Sequence, residues 1–183
     1  TNNEINEKKC SGRVEELEKI LFKTPSNGNI GIGHVRWATH GVPNVANAHP
    51  HSSEKVSVVH NGIIENSDEI KKDLEKKGLQ FKSQTDTEVI TLLLTETLKE
   101  NQPLDSVFKT LEKLKGSFAL GIIFKDFSDI IIGARRGSPL AVGFSKDENY
   151  LGSDSYALKS MTNKISYLDD GEICVLSKDN VSF

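Results

Sequence analysis

Apolar residues recur at helical spacing through the first part of this chain and gather into unbroken runs in its last third. Val14, Leu17 and Leu21 stand at i, i+3 and i+7, which predicts a helix starting near Ser11 with a narrow apolar stripe. The turn-forming stretch Thr24-Pro-Ser-Asn-Gly-Asn29 closes it as a loop. Ile30 to Val35 and Val56 to Val59 read as two short strands. A helix follows at Asn66, where Glu69 three residues on suggests a capping arrangement, Ile70 and Leu74 share a face, and Gly78 sits as a C′ glycine. Thr85-Asp-Thr-Glu88 is a second helix start, with Thr85 as cap and Glu88 reaching back, ahead of the stripe Ile90, Leu93, Leu94, Leu98. Asn101-Gln-Pro103 opens a third, with Val107, Phe108, Leu111 and Leu114 inward. From Gly116 the period changes. Phe118 to Phe124 and Ile130 to Ile132 are continuous apolar runs, as expected of strands covered on both faces. Shorter strands are expected at Leu140 to Phe144, Tyr150 to Ser153, Ile165 to Leu168 and Glu172 to Leu176, with a short helix capped by Asp154 among them. Strands, then helices, then more strands imply an α+β fold of helices layered on stacked sheets.

Composition bounds this picture. The 183 residues fit a single domain over 1–183, since one core closes at roughly 100–200 residues. A net charge of -3 with interleaved signs offers no basic face, so nucleic acid is not an expected partner. No apolar run approaches the roughly 20 residues of a membrane span, and the polar start Thr1 to Lys9 resembles no signal peptide, so no membrane association is expected. Two cysteines, Cys10 and Cys174, make no disulfide framework, and a reducing, cytoplasmic setting is the expectation.

The chemistry concentrates between Gly31 and Gly62, which holds all five histidines (His34, His40, His49, His51, His60) and the lone tryptophan, Trp37. Asn61-Gly62 directly after a strand is the commonest hairpin dipeptide, yet Ile-Ile-Glu-Asn and a helix start follow it rather than a second strand. The competing reading is an oxyanion hole, with the Asn61 amide and the Gly62 N–H aimed at one developing negative oxygen. Arg36, beside Trp37, Thr39 and His40, suits bidentate capture of a carboxylate, where an arbitrary arginine would make a surface ion pair. Asp86 at a helix start could serve the macrodipole alone, or pair with an ammonium group. Together the two describe an α-amino acid ligand. His49-x-His51 with another histidine suggests a zinc site, but no partner cysteine or His-Glu-x-x-His motif supports it, and hydrogen-bonded histidines are the stronger expectation. Thr1 heads a solvated charge run, Cys10 has no adjacent base, and Cys174 lies in an apolar strand. None of them makes a convincing nucleophile.

Four segments in order, Gly-His-Val-Arg-Trp-Ala-Thr-His-Gly41, Asn47-Ala-His-Pro-His51, His60-Asn-Gly-Ile-Ile-Glu-Asn66 and Thr85-Asp-Thr-Glu-Val-Ile90, resemble the class II glutamine amidotransferases. The likeness runs on through Gly116-Ser-Phe-Ala, Ala134-Arg-Arg-Gly-Ser-Pro-Leu140 and Leu151-Gly-Ser-Asp154, and the Trp-Ala-Thr-His wording favours the hexosamine branch. The resemblance implies an N-terminal-nucleophile fold, a four-layer αββα sandwich. It implies that Arg36, Trp37, Thr39 and His40 hold the carboxylate of L-glutamine, that Asp86 holds its amine, that His49 lies near the pocket, and that Asn61 and Gly62 form the oxyanion hole. It implies release of ammonia for amination of fructose 6-phosphate in a carboxy-terminal sugar isomerase domain, homodimers at full length, and no metal or organic cofactor in this half. Members begin with a nucleophilic cysteine. The chain begins with Thr1, so the expectation is a domain lacking its N-terminal strand and helix, without the isomerase domain and inactive as it stands. A non-catalytic glutamine-binding module and a histidine-based metal hydrolase are the alternatives.

Overall fold

Strand β3 (Gly116–Phe124) is the axis of the molecule, and its residues alternate between two cores. The computed structural model describes residues 4–36 and 42–183. Phe118, Leu120, Ile122 and Phe124 join a core beneath the helices, whereas Ala119 joins a second core facing another sheet. This is the period of two at work in a strand buried on both faces, and it explains the unbroken apolar run. On either side of β3 lie β2 (Val56–Ile64) and β4 (Phe127–Arg136), both antiparallel to it. With β1 (His51–Ser52), β8 (Ile173–Leu176) and β9 (Val181–Ser182) they form a six-stranded sheet ordered β1-β2-β3-β4-β8-β9.

On one face pack α2 (Ser67–Lys76), α3 (Asp86–Thr97) and α4 (Pro103–Leu111), with Leu74, Ile90, Leu94 and Val107 buried against the sheet. On the other lies a three-stranded sheet of β6 (Asn149–Gly152), β5 (Ala141–Phe144) and β7 (Lys164–Tyr167). The short helix α5 (Ser155–Leu158) covers the outer face of that sheet, its Leu158 against Gly143 and Gly152. The layers run helix, sheet, sheet, helix. The expected αββα sandwich is the architecture found. The two sheets approach closely enough that a Cβ on Gly133 would lie 2.8 Å from Leu151 Cδ1 of the facing sheet, while within its own sheet it would meet Cys174 Sγ at 2.7 Å.

Local chemistry placed most element ends. Gly78 takes φ +86°, and Leu79 N–H and Gly78 N–H close on the Leu74 and Glu75 carbonyls, the double bond of a Schellman stop. Asp154 caps α5 by accepting from Ala157 N at 2.8 Å. Helix α1 (Val14–Lys23) forms as its periodicity predicts, but none of its residues is buried and Phe22 is 88% exposed.

Several expectations are corrected. Ile30 to Val35 is not a strand. Its residues run without ladder pairing, and a strand exists only where a neighbour supplies the other half of each hydrogen bond. Strand β2 does not stop at Val59 but continues to Ile64. Asn66 occupies the α2 N-cap without capping it, because its Nδ2 donates to Lys113 O at 2.9 Å and its Oδ1 accepts from Lys115 N at 2.8 Å. Phe108 faces outward: Val107 and Leu111 set the buried stripe of α4 at i and i+4, with Leu114 buried just past its end, and Phe108 stands one residue off it.

Candidate active site

The end of β2, the first turn of α3 and the segment 34–36 converge on a cavity of about 250 Å³ at the sheet edge. That is the scale of a single amino acid, below the roughly 300–1,000 Å³ of drug-sized sites. Asn61 and Gly62 reach it because β2 runs straight through them. They pair with Ala119 and Phe118 in an unbroken antiparallel register, so the dipeptide is not a hairpin turn. Gly62 takes φ +128°, and a Cβ there would lie 2.1 Å from the Ser117 carbonyl oxygen, so only glycine fits the position.

Asp86 reaches the cavity through its helix start. Thr85 holds the N-cap, its Oγ1 accepting from Glu88 N at 3.4 Å. Glu88 does not bond back to the cap residue. Its carboxylate takes the N–H groups of Lys82 and Ser83 at 2.8 and 2.6 Å, and so pins the incoming loop. Asp86 is nearly buried. Its Oδ2 accepts the Ile64 N–H at 2.9 Å, and its Oδ1 stands 3.9 Å from His60 Nδ1. The helix thus locks its carboxylate to the very strand that carries Asn61. Arg36 lines the same cavity, with Nη1 donating to the Val42 carbonyl at 3.2 Å. Asn47 braces that carbonyl from behind through its Nδ2 at 3.0 Å, and its Oδ1 accepts from Gln84 N at 2.9 Å in the loop before α3.

His34, His49 and His60 form the wall. His34 and His49 stack with ring centroids 4.2 Å apart, and His49 meets His51 edge-on at 5.3 Å. Thr87 Oγ1 joins His49 Nε2 at 2.9 Å and His60 Nδ1 at 3.1 Å, while Thr85 Oγ1 joins His51 Nε2 at 2.9 Å. Burial, with the charges of neighbouring His34, His51, His60 and Arg36, drives the His49 pKa down to about 2. Burial first and Lys9 second bring His51 to about 4, and burial also lowers His34. At neutral pH these three rings are uncharged. Among the described residues no three of His, Cys, Asp or Glu are disposed to hold a metal ion, because ring stacking and threonine hydroxyls take up the geometry a metal would need.

Of the residues expected from the sequence, Arg36, His49, Asn61, Gly62 and Asp86 all line this one cavity. Trp37, Thr39 and His40 lie outside the described residues. The sequence reading did not single out Thr87, whose hydroxyl bridges two histidines. A lone threonine one residue past an N-terminal aspartate carries no signal of its own. The cysteines stand apart: neither lines the cavity, and burial pushes the Cys174 thiol up to about 12. Chemically, a cation, a carboxylate, a side-chain amide and a glycine backbone face one amino-acid-sized space.

Residues 34–160 match the family described as a glutamine amidotransferase domain. The chain is 49% identical over 178 residues to the glutamine–fructose-6-phosphate aminotransferase (isomerizing) of Zymomonas mobilis, covering 97% of this chain and 29% of that protein. The same enzyme of Mesorhizobium japonicum is 49% identical over 180 residues, covering 98% and 30%. The chain therefore spans about three tenths of the length of these relatives. Among solved structures, the glutamine phosphoribosylpyrophosphate amidotransferase of B. subtilis superposes with a TM-score of 0.67 at 26% identity, over 81% of this chain and 33% of that one. A glutamine aminotransferase class-II domain protein from Silicibacter pomeroyi, at 14% identity and a TM-score of 0.55, shares the fold.

Proposed function

The chain belongs to the glutamine amidotransferase domain family, and from that premise we propose that it is the glutaminase portion of a glutamine–fructose-6-phosphate aminotransferase, releasing ammonia from L-glutamine for amination of fructose 6-phosphate. The observation that carries the proposal is the convergence of Arg36, Asp86, Asn61 and Gly62 on one cavity of amino-acid size. Arg36 supplies positive charge for the α-carboxylate, and the half-engaged carboxylate of Asp86 faces the α-ammonium. This leaves the side-chain amide of glutamine directed at the end of β2. When a thiolate adds to that amide carbon, the carbonyl oxygen becomes an oxyanion held by the Asn61 amide and the Gly62 N–H. Collapse expels the nitrogen as ammonia after protonation, and water then cleaves the thioester to glutamate. The thiolate is assigned to a residue outside these 183, as the family resemblance implies, because neither Cys10 nor Cys174 lines the cavity. Trp37, Thr39 and His40 complete the carboxylate loop in this reading, and His49 walls the pocket.

The same resemblance extends the proposal to residues 1–183 as one amidotransferase domain, joined to a sugar isomerase domain and homodimeric at full length. No helix among the described residues is long and apolar enough to cross a membrane, and a cytoplasmic setting agrees with the free cysteines Cys10 and Cys174. Isothermal calorimetry with L-glutamine tests the reading. Binding is expected for the L isomer and not the D isomer, and Arg36→Ala weakens it by about tenfold to a hundredfold, the loss of a charge-assisted contact. Unchanged affinity in the Arg36 variant removes the carboxylate assignment.

A further inference from the structure

The histidine wall ends on Asn61, and that contact has a direction. His34 Nε2 lies 2.7 Å from Asn61 Oδ1. An amide oxygen only accepts, so Nε2 carries the ring proton and donates it. The Asn61 Nδ2 then has no partner among the described residues, and both residues line the cavity. Turned the other way, the same amide would present an acceptor to a developing anion and repel it. His34 Nδ1 is buried without a hydrogen-bond partner, which suits a ring whose only proton is on Nε2, since a bare lone pair is left there rather than an orphaned N–H.

We propose that His34 is a positioning residue for the Asn61 amide: by donating to Oδ1 it turns Nδ2 into the cavity, and its stack on His49 ties that orientation to the first turn of α3. The inference rests on the reading of Asn61 as an oxyanion donor and deepens it. The linkage is continuous. Thr87 on α3 holds His49, His49 packs on His34, and His34 holds Asn61. Asp86 precedes Thr87 on the same turn, so one helix end sets both the amine-binding carboxylate and the oxyanion donor. The lowered pKa of His34 and His49 favours the uncharged stack at neutral pH, so it orients the amide without competing with it for the anion.

The test is a double-mutant cycle on glutamine hydrolysis by the full-length enzyme, with His34→Ala, His34→Gln and Asn61→Ala. His34→Ala is expected to lower kcat about tenfold to a hundredfold with KM for glutamine held within about twofold, somewhat less than the 10²–10³ of losing an oxyanion donor outright. His34→Gln, whose amide N–H can still donate, recovers most of the loss. In the Asn61→Ala background His34→Ala changes kcat by less than about twofold, because the amide it orients is gone. Additive losses, a loss carried in KM, or no difference between the Gln and Ala variants overturn the proposal. Selective ¹⁵N-histidine NMR on the protein gives a readout independent of turnover, with the Nε2–H tautomer expected at His34 and the Nδ1–H tautomer overturning the assignment. A wild-type enzyme that does not hydrolyse glutamine sinks the proposed function instead, and the tautomer still decides the His34 contact.

Discussion

Gly62 is the residue where backbone and chemistry constrain each other most tightly. Its φ of +128° lies where L side chains rarely go, and the Ser117 carbonyl oxygen occupies the space a Cβ would need, 2.1 Å from where that Cβ would stand. Strand β2 can therefore pass its neighbour at contact distance and still present a peptide group to the cavity. Gly62→Ala is expected to part β2 from β3 locally and lower stability by about 2 kcal/mol or more, through strain and overpacking together. Urea unfolding followed by circular dichroism reads this directly, and a wild-type midpoint would refute the steric argument. Asn61, one residue earlier, carries no such backbone demand. Its exposure and its single bond to His34 leave its side chain to the site.

At the scale of elements, the N-terminus of α3 ties the site together. Thr85 caps the helix, meets Ser83 Oγ at 3.0 Å and joins His51, all through one buried hydroxyl. Thr85→Ala removes a cap worth about 1 kcal/mol and leaves the buried His51 Nε2 without its partner, a further 1–3 kcal/mol. A total loss of about 2–4 kcal/mol is expected from chemical denaturation, with Thr85→Ser retaining most of the stability. A loss of a few tenths would mean the hydroxyl does little. Glutamine affinity should fall in parallel, since Asp86 is the next residue and the same turn aims it.

Across the whole molecule, the buried histidines make stability depend on pH in a definite direction. Unfolded, His49 and His51 take up a proton near pH 6.5; folded, they refuse it until about 2 and about 4. Between those limits the unfolded chain binds more protons, so the folded state loses ground as pH falls from 6.5. The expected slope is up to about 1.4 kcal/mol per pH unit for each ring between pH 6 and 5, above the range where ordinary carboxylates titrate. Above pH 7 the two rings contribute no slope. Unfolding free energies at pH 7.5, 6 and 5 check this, and a His51→Gln variant should show a shallower fall. A flat profile would mean that the rings are solvated.

The features legible along the chain were those whose physics is contained in consecutive residues. The stripes of α2, α3 and α4, the Schellman glycine at Gly78, the cap at Thr85 and the doubly buried run of β3 all follow from local period and local hydrogen bonding. The candidate residues Arg36, Asn61, Gly62 and Asp86 were also legible as residue types in context, and the structure brings them to one cavity. What the sequence could not decide depends on partners far along the chain. Whether Asn61-Gly62 turned or ran on was settled by β3, since Ala119 and Phe118 offer the pairing that keeps β2 extended. Whether Ile30 to Val35 became a strand depended on a neighbour to bond with, and apolar alternation alone supplies none. Why His34, His49, His51 and His60 crowd one stretch also became clear only in three dimensions. His49 meets Thr87 across 38 positions and His34 meets Asn61 across 27, and burial there strips the rings of charge. Period and capping are properties of a segment; burial, tautomer and pairing are properties of the surroundings that only the folded chain creates.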